Sequence, residues 1–258
     1  MYTLRQYQKQ ASDAAVRAFT GKTKKNGLLI LPTGAGKSLV IADIASKLDS
    51  PLLIFCPSKE ILEQNFAKLQ SYGVFDCGVY SASVGCKDIN RITFATIGSV
   101  MNHMSDFDCF KNIIIDECHY VNSKAGQYKE FIEAKNRQVV GLTATPYRLD
   151  RAEGGSILKF LTRVRPRIFS KVIYCCQIGE LLSKGYLADL HYYDLTELDL
   201  RRVRSNSTGA DYDERSLLAE YERSGFYDKL SNTVVKVLQP KSGIPRKGVL
   251  VFTAFTKE

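Results

Sequence analysis

The stretch Leu28–Ala45, LLILPTGAGKSLVIADIA, decides the fold. It opens with the apolar run Leu28–Leu31, which has the composition of a buried strand. It then turns through Pro32, Thr33, Gly34, Ala35 and Gly36 and enters a helical pattern at Lys37 and Ser38. A strand, a glycine-bearing loop and a helix N-terminus in that order build an anion site from backbone alone. The unpaired N–H groups of the first helical turn point at the loop, and the helix dipole favours negative charge there. Gly34 and Gly36 let the chain wrap a phosphate with no Cβ in the way. Lys37 adds a point charge for terminal phosphates, and the Ser38 hydroxyl suits magnesium. One position departs from the strict phosphate-loop pattern, because Leu31 stands where its first glycine would be. The reading is a nucleoside triphosphate site.

Outward from this stretch, strands and helices alternate. Residues 4–19 read as a helix with Tyr7, Ala11, Ala14, Ala15 and Ala18 inward. A buried strand at 51–57 leads to a helix from Ser58, its cap, to about Tyr72, with Ile61, Leu62 and Leu69 facing in. Further strands follow at 77–80, 91–95, 112–117 and 138–145. This spacing predicts an α/β fold, a doubly wound and mostly parallel sheet with helices on both faces. Beyond Pro146 the pattern thins. Residues 176–195 read as a helix, a stop at Gly185 and a strand; 199–216 as a polar loop or linker; 224–238 as a helix; and GVLVF, 248–252, as a last strand.

Composition narrows the class. The 258 residues are 45% apolar and 24% charged, enough for a real core in one large or two smaller domains. No apolar run approaches the ~18 residues of a membrane span. The N-terminus, MYTLRQYQKQ, has no apolar signal core, so a cytoplasmic location and no membrane partner are expected. Seven scattered cysteines without a CxxC pair argue against a zinc site or disulfide frame and for buried free thiols. A net charge of +9 suggests a polyanionic partner.

The second chemistry-bearing stretch is the strand Ile113–Ile115, which ends in Asp116 and Glu117. Strand C-terminal ends line the ligand crevice of a doubly wound sheet, where the phosphate loop also lies. Asp116 can then hold magnesium with Ser38, and Glu117 can activate a water against the terminal phosphate. Thr143 and Thr145 end another strand, just before Pro146.

In this order the stretches resemble the superfamily 2 helicases and translocases. LRQYQ looks like their adenine-reading element, LPTGAGKS like motif I, FCPSKEILEQN like motif Ia and FATIGSV like motif Ib. IIIDECH looks like motif II in a DEAH-like spelling, and LTATPYR like motif III. LRxYQ with DECH and TATPYR is similar to the group that holds the motor subunits of type III restriction enzymes and the RadD-like repair proteins. GELLSKGYLADL and KGVLVFTAFTKE resemble that group's exit from the first lobe and its motif IV.

The resemblance implies a RecA-like first lobe over 1–188 that binds ATP and Mg2+. It implies a linker and the incomplete beginning of a second lobe over 189–258. It gives Gln8 an adenine contact with Arg5 in support, and assigns phosphates to the loop Thr33, Gly34, Ala35, Gly36, Lys37 and Ser38. It makes Lys37, Asp116, Glu117 and His119 the catalytic set, with Ser38 and Asp116 on the metal. It ties Ser58, Lys59 and Thr96 to nucleic acid, and Thr143 and Thr145 to coupling. The implied function is nucleic-acid-dependent ATP hydrolysis driving translocation or unwinding of DNA, single-stranded or duplex, in repair. RNA is the other candidate substrate. The alternatives are the motor of a type III or type I restriction enzyme, and an ATP-regulated binding module without turnover. Glu117 argues against the last, since a pure binder needs no water-activating acid. The family's later motifs, with their arginines for the transferring phosphoryl, have no counterpart before Glu258, so this chain alone is expected to hydrolyse ATP poorly.

Overall fold

In the computed structural model, which describes residues 3–152, 155–189, 198–206, 212–240, 243 and 248–251, the short apolar runs become strands with partners on both sides. The strands are β1 (Gly27–Ile30), β2 (Leu52–Phe55), β3 (Cys77–Ser81), β4 (Cys86–Lys87), β5 (Ile92–Ala95), β6 (Asn112–Ile115), β7 (Gln138–Thr143), β8 (Tyr147–Ala152), β9 (Gly155–Phe160) and β10 (Lys171–Cys175). Eight of them form one sheet in the order β10-β1-β7-β6-β2-β5-β3-β4, and β8 pairs with β9 alone. Every pairing in the large sheet is parallel except β3 with β4. The expected mostly parallel α/β architecture is therefore present.

Helices α1 (Gln6–Thr20), α2 (Lys37–Lys47), α3 (Lys59–Gln70), α4 (Ile97–Met101), α5 (Gln127–Ala134) and α6 (Ile178–Ser183) connect and cover these strands. Successive strand residues point to opposite faces, which divides the core in two. Leu29, Leu52, Ile54 and Ile114 join Ala11, Ile41 and Leu62 of α1, α2 and α3. Leu28, Leu53, Phe55, Ile113 and Ile115 turn the other way and meet Val100, Phe107 and Phe131. Each such buried side chain contributes about 1.5–3 kcal/mol. Close packing also fixes a glycine: a Cβ on Gly141 would stand 2.6 Å from both Cys118 Sγ and the Phe169 ring. The turn after β6 and the segment before β10 could not then close over β7.

Some expectations need correction. Ala18 is only partly buried, and Gln8, Ser12 and Phe19 complete the inner face of α1 instead. Strand β10 and the β8–β9 pair lie where the pattern had thinned. The helix in 176–195 is α6; residues 186–189 form no strand, and 190–195 lie outside the described residues. Residues 248–251 form no strand, and Phe252 lies outside the described residues. Four cysteines are buried as expected, but Cys86 is half-buried and Cys109 and Cys175 are exposed.

The chain divides into two compact units, Met1–Arg151 with Ile157–Asp189, and Ala152–Ser156 with Leu190–Glu258. In the second unit, helices α7 (Glu214–Ser224) and α8 (Phe226–Leu238) meet at Gly225, whose φ of +61° ends α7. Tyr221 and Phe226 pack with ring centroids 4.2 Å apart across that joint. The polar stretch 199–216 is ordered at both ends rather than a loop throughout. Leu200–Arg202 form a short 3-10 turn with Asp199 accepting from the Arg201 amide, and Asp213 accepts from the Ser216 amide to start α7. Residues 207–211 of that stretch lie outside the described residues. No described helix is long and apolar enough to cross a membrane.

Candidate nucleotide and nucleic-acid site

The phosphate loop leaves the C-terminal end of β1, the second strand from one edge of the sheet, between β10 and β7. Leu31, at the position of the missing glycine, is fully buried, and its amide donates to the Thr143 carbonyl at 3.0 Å. That position faces the core, so a side chain there does not obstruct the loop. Gly34 and Gly36 hold φ of +79° and +76°, the left-handed region that glycine tolerates, and Gly36 caps α2. A Cβ on Gly36 would lie 2.6 Å from Gln8 Nε2. The loop is anchored through the Ala35 carbonyl, which accepts from Tyr7 Oη at 2.9 Å and Gln8 Nε2 at 2.8 Å.

Gln8 is thus a buried polar group, 3% exposed, with partners on two sides. Its Oε1 accepts from the Arg5 amide at 2.9 Å, which closes the first turn of α1. One amide donor and one acceptor lone pair remain for a base edge. The Arg5 guanidinium lies over the Tyr186 ring, 4.2 Å from its centroid. Tyr7 belongs to LRQYQ itself, where the pattern marks it only as an inward residue of the first helix; Tyr186 lies far along the chain, with no local signal that ties it to this loop.

The acids stand at the end of β6, next to β7 and two strands from β1. Glu117 has φ 49° and ψ 49°, a left-handed conformation that costs a side-chain-bearing residue roughly 1–2 kcal/mol. The turn is held by the carboxylate's contacts. Glu117 Oε1 lies 2.8 Å from Lys37 Nζ, and Oε2 lies 3.3 Å from His119 Nδ1. His119 Nδ1 is also 2.9 Å from Thr143 Oγ1. Thr143 Oγ1 accepts from the Thr145 amide at 3.0 Å and donates to the Thr145 carbonyl at 3.3 Å. Those bonds use the hydroxyl's one proton and one lone pair, so Nδ1–H donating to the second lone pair completes the hydroxyl's partners. Lys37, Glu117, His119, Thr143 and Thr145 therefore form one chain across the ends of β1, β6 and β7.

Asp116 is only 4% exposed. Its Oδ1 accepts from the Glu117 amide and its Oδ2 from Asn65 Nδ2, both at 3.0 Å. Burial raises its carboxyl above the usual range, opposed by the Asn65 hydrogen bond; the Glu117 charge raises it further and Lys37 lowers it. Asn65, itself 1% exposed, lies on α3 and also reaches Cys56 Sγ at 3.5 Å. In the sequence Asn65 is only the last residue of FCPSKEILEQN, because a polar residue in mid-helix gives no sign of which strand end it will meet. Ser38 is half-buried in the first turn of α2, and Thr33 and Gly34 are exposed. Thr33 and Thr145 line a pocket of about 570 Å³ with Pro32, Pro146 and Cys175.

Ser58, Lys59 and Thr96 come together apart from this crevice. They line a pocket of about 490 Å³ at the ends of β2, β3 and β5, with Ala82, Ser99 and Tyr128. Ser58 caps α3 by accepting from the Ile61 amide at 3.4 Å, and Lys59 lies 3.8 Å from Glu63. Thr96 shares hydrogen bonds with Ser81 at 3.1 Å and Ser99 at 3.0 Å. The pocket thus presents hydroxyls and one lysine, groups that suit a sugar-phosphate backbone.

Comparison with known proteins agrees with this architecture. Residues 1–148 match the family described as type III restriction enzyme, res subunit. The DNA 3'-5' translocase XPB2 of Sulfurisphaera tokodaii is 28% identical over 204 residues, which are 77% of this chain and 42% of that protein. The chain thus spans less than half the length of this curated relative. Among solved structures, a nuclease-deletion mutant of the type ISP restriction-modification enzyme LlaGI, in complex with a DNA substrate mimic, superposes with a TM-score of 0.53 at 17% identity. That match covers 72% of this chain and 21% of LlaGI, and it supports the fold. With its matched region reaching from before α1 through the phosphate loop and the acids after β6 to the start of β8, the chain belongs to the family of type III restriction enzyme res subunits.

Proposed function

We propose that this chain is the ATP-binding part of a nucleic-acid-dependent motor that hydrolyses ATP to move along or open DNA. Residues 1–188 are its first lobe, and 189–258 the linker and start of a second. The observation that carries the reading is the side-chain relay from Lys37 through Glu117 and His119 to Thr143, which joins the phosphate loop to two other strand ends. A helix start that merely bound an anion would need only the loop.

The residues fit ATP with Mg2+. The loop is a cradle that a Cβ at Gly36 would fill, and Ser38, Asp116 and Glu117 are hard oxygen donors of the kind magnesium takes. Ser38 and Asp116 would hold the ion, which neutralises charge on the phosphate oxygens. Lys37 exchanges part of its contact with Glu117 for those oxygens. Glu117 then takes a proton from the water that attacks the terminal phosphorus, and the bond to the ADP oxygen breaks to leave ADP and phosphate. His119, bonded to Thr143, orients the Glu117 carboxylate. Asp116 and Asn65 connect the same crevice to α3, whose first turn carries Ser58 and Lys59 at the nucleic-acid pocket. ATP and nucleic acid as substrates agree with an intracellular setting. Glu117, placed and oriented, favours turnover over a binding-only module.

The test is titration of this chain with ATP and magnesium, beside Lys37→Ala, followed by turnover with and without DNA. The parent should bind, Lys37→Ala should not, and the parent's turnover should rise with DNA. Equal nucleotide affinity in the two proteins would remove the reading.

A further inference from the structure

At the opposite edge of the sheet, where the parallel strands begin, two pockets of about 600 and 360 Å³ share Lys25 and Lys171 in their walls. Together they collect the exposed side chains of Arg17, Lys22, Lys24, Lys25, Arg167 and Lys171. Glu133 is the one acid among the described residues of those walls, and it lies 3.9 Å from Lys129. None of the six cations forms an ion pair with another described residue. Asp13, one turn before Arg17 on α1, and Glu133 offset only part of this charge, so the edge is concave and net positive.

The topology assembles it. Arg17 ends α1, the three lysines sit in the turn into β1, and Arg167 and Lys171 lead into β10. Parallel pairing sets Gly27 beside Lys171. Asn26 clamps the frame: its Nδ2 donates to the Ile168 carbonyl at 3.0 Å, and its Oδ1 accepts from the Val139 amide at 2.9 Å. Its own carbonyl accepts from the Ser170 amide at 3.0 Å and Ser170 Oγ at 2.8 Å. The cations thus project from backbone already fixed, which lowers the ordering cost of binding.

Clustered like charges repel, and a chain of phosphates relieves that repulsion with release of counterions. A hollow edge fits a rod or strand better than a flat bilayer. We propose that this edge is a second, sequence-independent contact for the phosphodiester backbone of nucleic acid, distinct from the pocket at Ser58, Lys59 and Thr96. The inference rests on the motor reading only in taking nucleic acid as the polyanion. The two surfaces are separated by at least the length of a four-residue strand, about 13 Å.

The experiment measures binding of a fluorescent duplex DNA across a salt series for the parent, Lys59→Ala and the triple variant Lys22→Ala/Lys25→Ala/Lys171→Ala. For the triple variant the slope of log affinity on log salt should be shallower by roughly 2 to 3, at about 0.9 for each phosphate no longer neutralised. Its ATP affinity should equal the parent's, which shows that it is folded. A slope unchanged in the triple variant while Lys59→Ala weakens binding overturns this inference and leaves the motor reading standing. A parent that binds no DNA overturns both. Binding to phosphatidylserine vesicles that the triple variant loses, with its DNA binding intact, would reassign the edge to a membrane surface.

Discussion

The two ends of the same sheet handle charge in opposite ways. At the strand C-termini every charged group of the crevice is engaged: Lys37 with Glu117, Glu117 with His119, and Asp116 with Asn65 and a backbone amide. At the strand N-termini six cations stand in the walls of two pockets, and none forms an ion pair with a described residue. The lesson is one of preorganisation. Under the proposed function, chemistry on a transferring phosphoryl group needs donors and acceptors fixed before the reaction, which the cross-braced crevice would supply. Holding a polymer's backbone needs net charge and tolerates loose geometry, so unpaired lysines suffice. The crevice should then be sensitive to single atoms and the basic edge only to total charge.

The largest effect should come from Glu117→Gln, which keeps the shape of the relay and removes the base. Turnover should fall about 10²–10⁴-fold, the usual contribution of a positioned general base, while ATP and DNA affinities stay near the parent's. Single-turnover hydrolysis beside equilibrium binding separates these, and a comparable loss of binding would mean that Glu117 is a structural brace.

Asn65→Ala comes next. It leaves an oxygen of Asp116 without its donor, and groups that orient metal ligands are typically worth about 10–100-fold in metal affinity or activity. The magnesium concentration for half-maximal ATP binding should rise by such a factor, with DNA binding by the basic edge unaltered. If magnesium dependence is unchanged, α3 does not act through Asp116.

Acid should also separate the two ends. The folded chain raises the Asp116 carboxyl, so its ionised form is present above that raised value and is lost as pH falls through it. That loss begins at higher pH than for an ordinary aspartate, near 3.9, whereas lysine and arginine keep their charge throughout. Affinity for ATP with magnesium should therefore weaken as the solution is acidified, from a higher pH than an ordinary aspartate would give, while DNA affinity holds. A parallel fall of both would erase the contrast.

The smallest effect belongs to Gln8→Ala, which removes one base-edge interaction and one anchor of the Ala35 carbonyl. The preference for ATP over GTP should drop by about 2- to 13-fold, the range of one net hydrogen bond. Competition binding measures it, and a parent that does not discriminate would leave Gln8 as a loop anchor only.

Much of the fold was legible because its strands are continuous apolar runs closed by glycine, acid or threonine, a pattern local to a few residues. Leu28–Leu31 and Ile113–Ile115 declare both their secondary structure and which end faces the crevice. Strand β10 was not legible, since KVIYC lies at the sheet's border with residues only half-buried or exposed and lacks the fully apolar composition of β2 or β6. The residues of the candidate site were found where their own chemistry is distinctive, as with the glycines, Lys37 and the paired acids. Asn65 gains its meaning from a partner far along the chain. The basic edge escaped for the same reason: a net charge of +9 says nothing of place, and only the register of Gly27 with Lys171 brings the two cationic segments together.

Helix α1 has a mechanical consequence. Its first turn is tied to the phosphate loop by the two bonds that Tyr7 and Gln8 make to Ala35, and its last turn carries Arg17. Fifteen helical residues form a stiff strut about 22 Å long. A strut pinned at one end to the phosphate loop of the proposed ATP site, and ending among cations at the other, would act as a lever. Any tilt imposed by the loop displaces the far tip, and a load on the tip is felt at the loop.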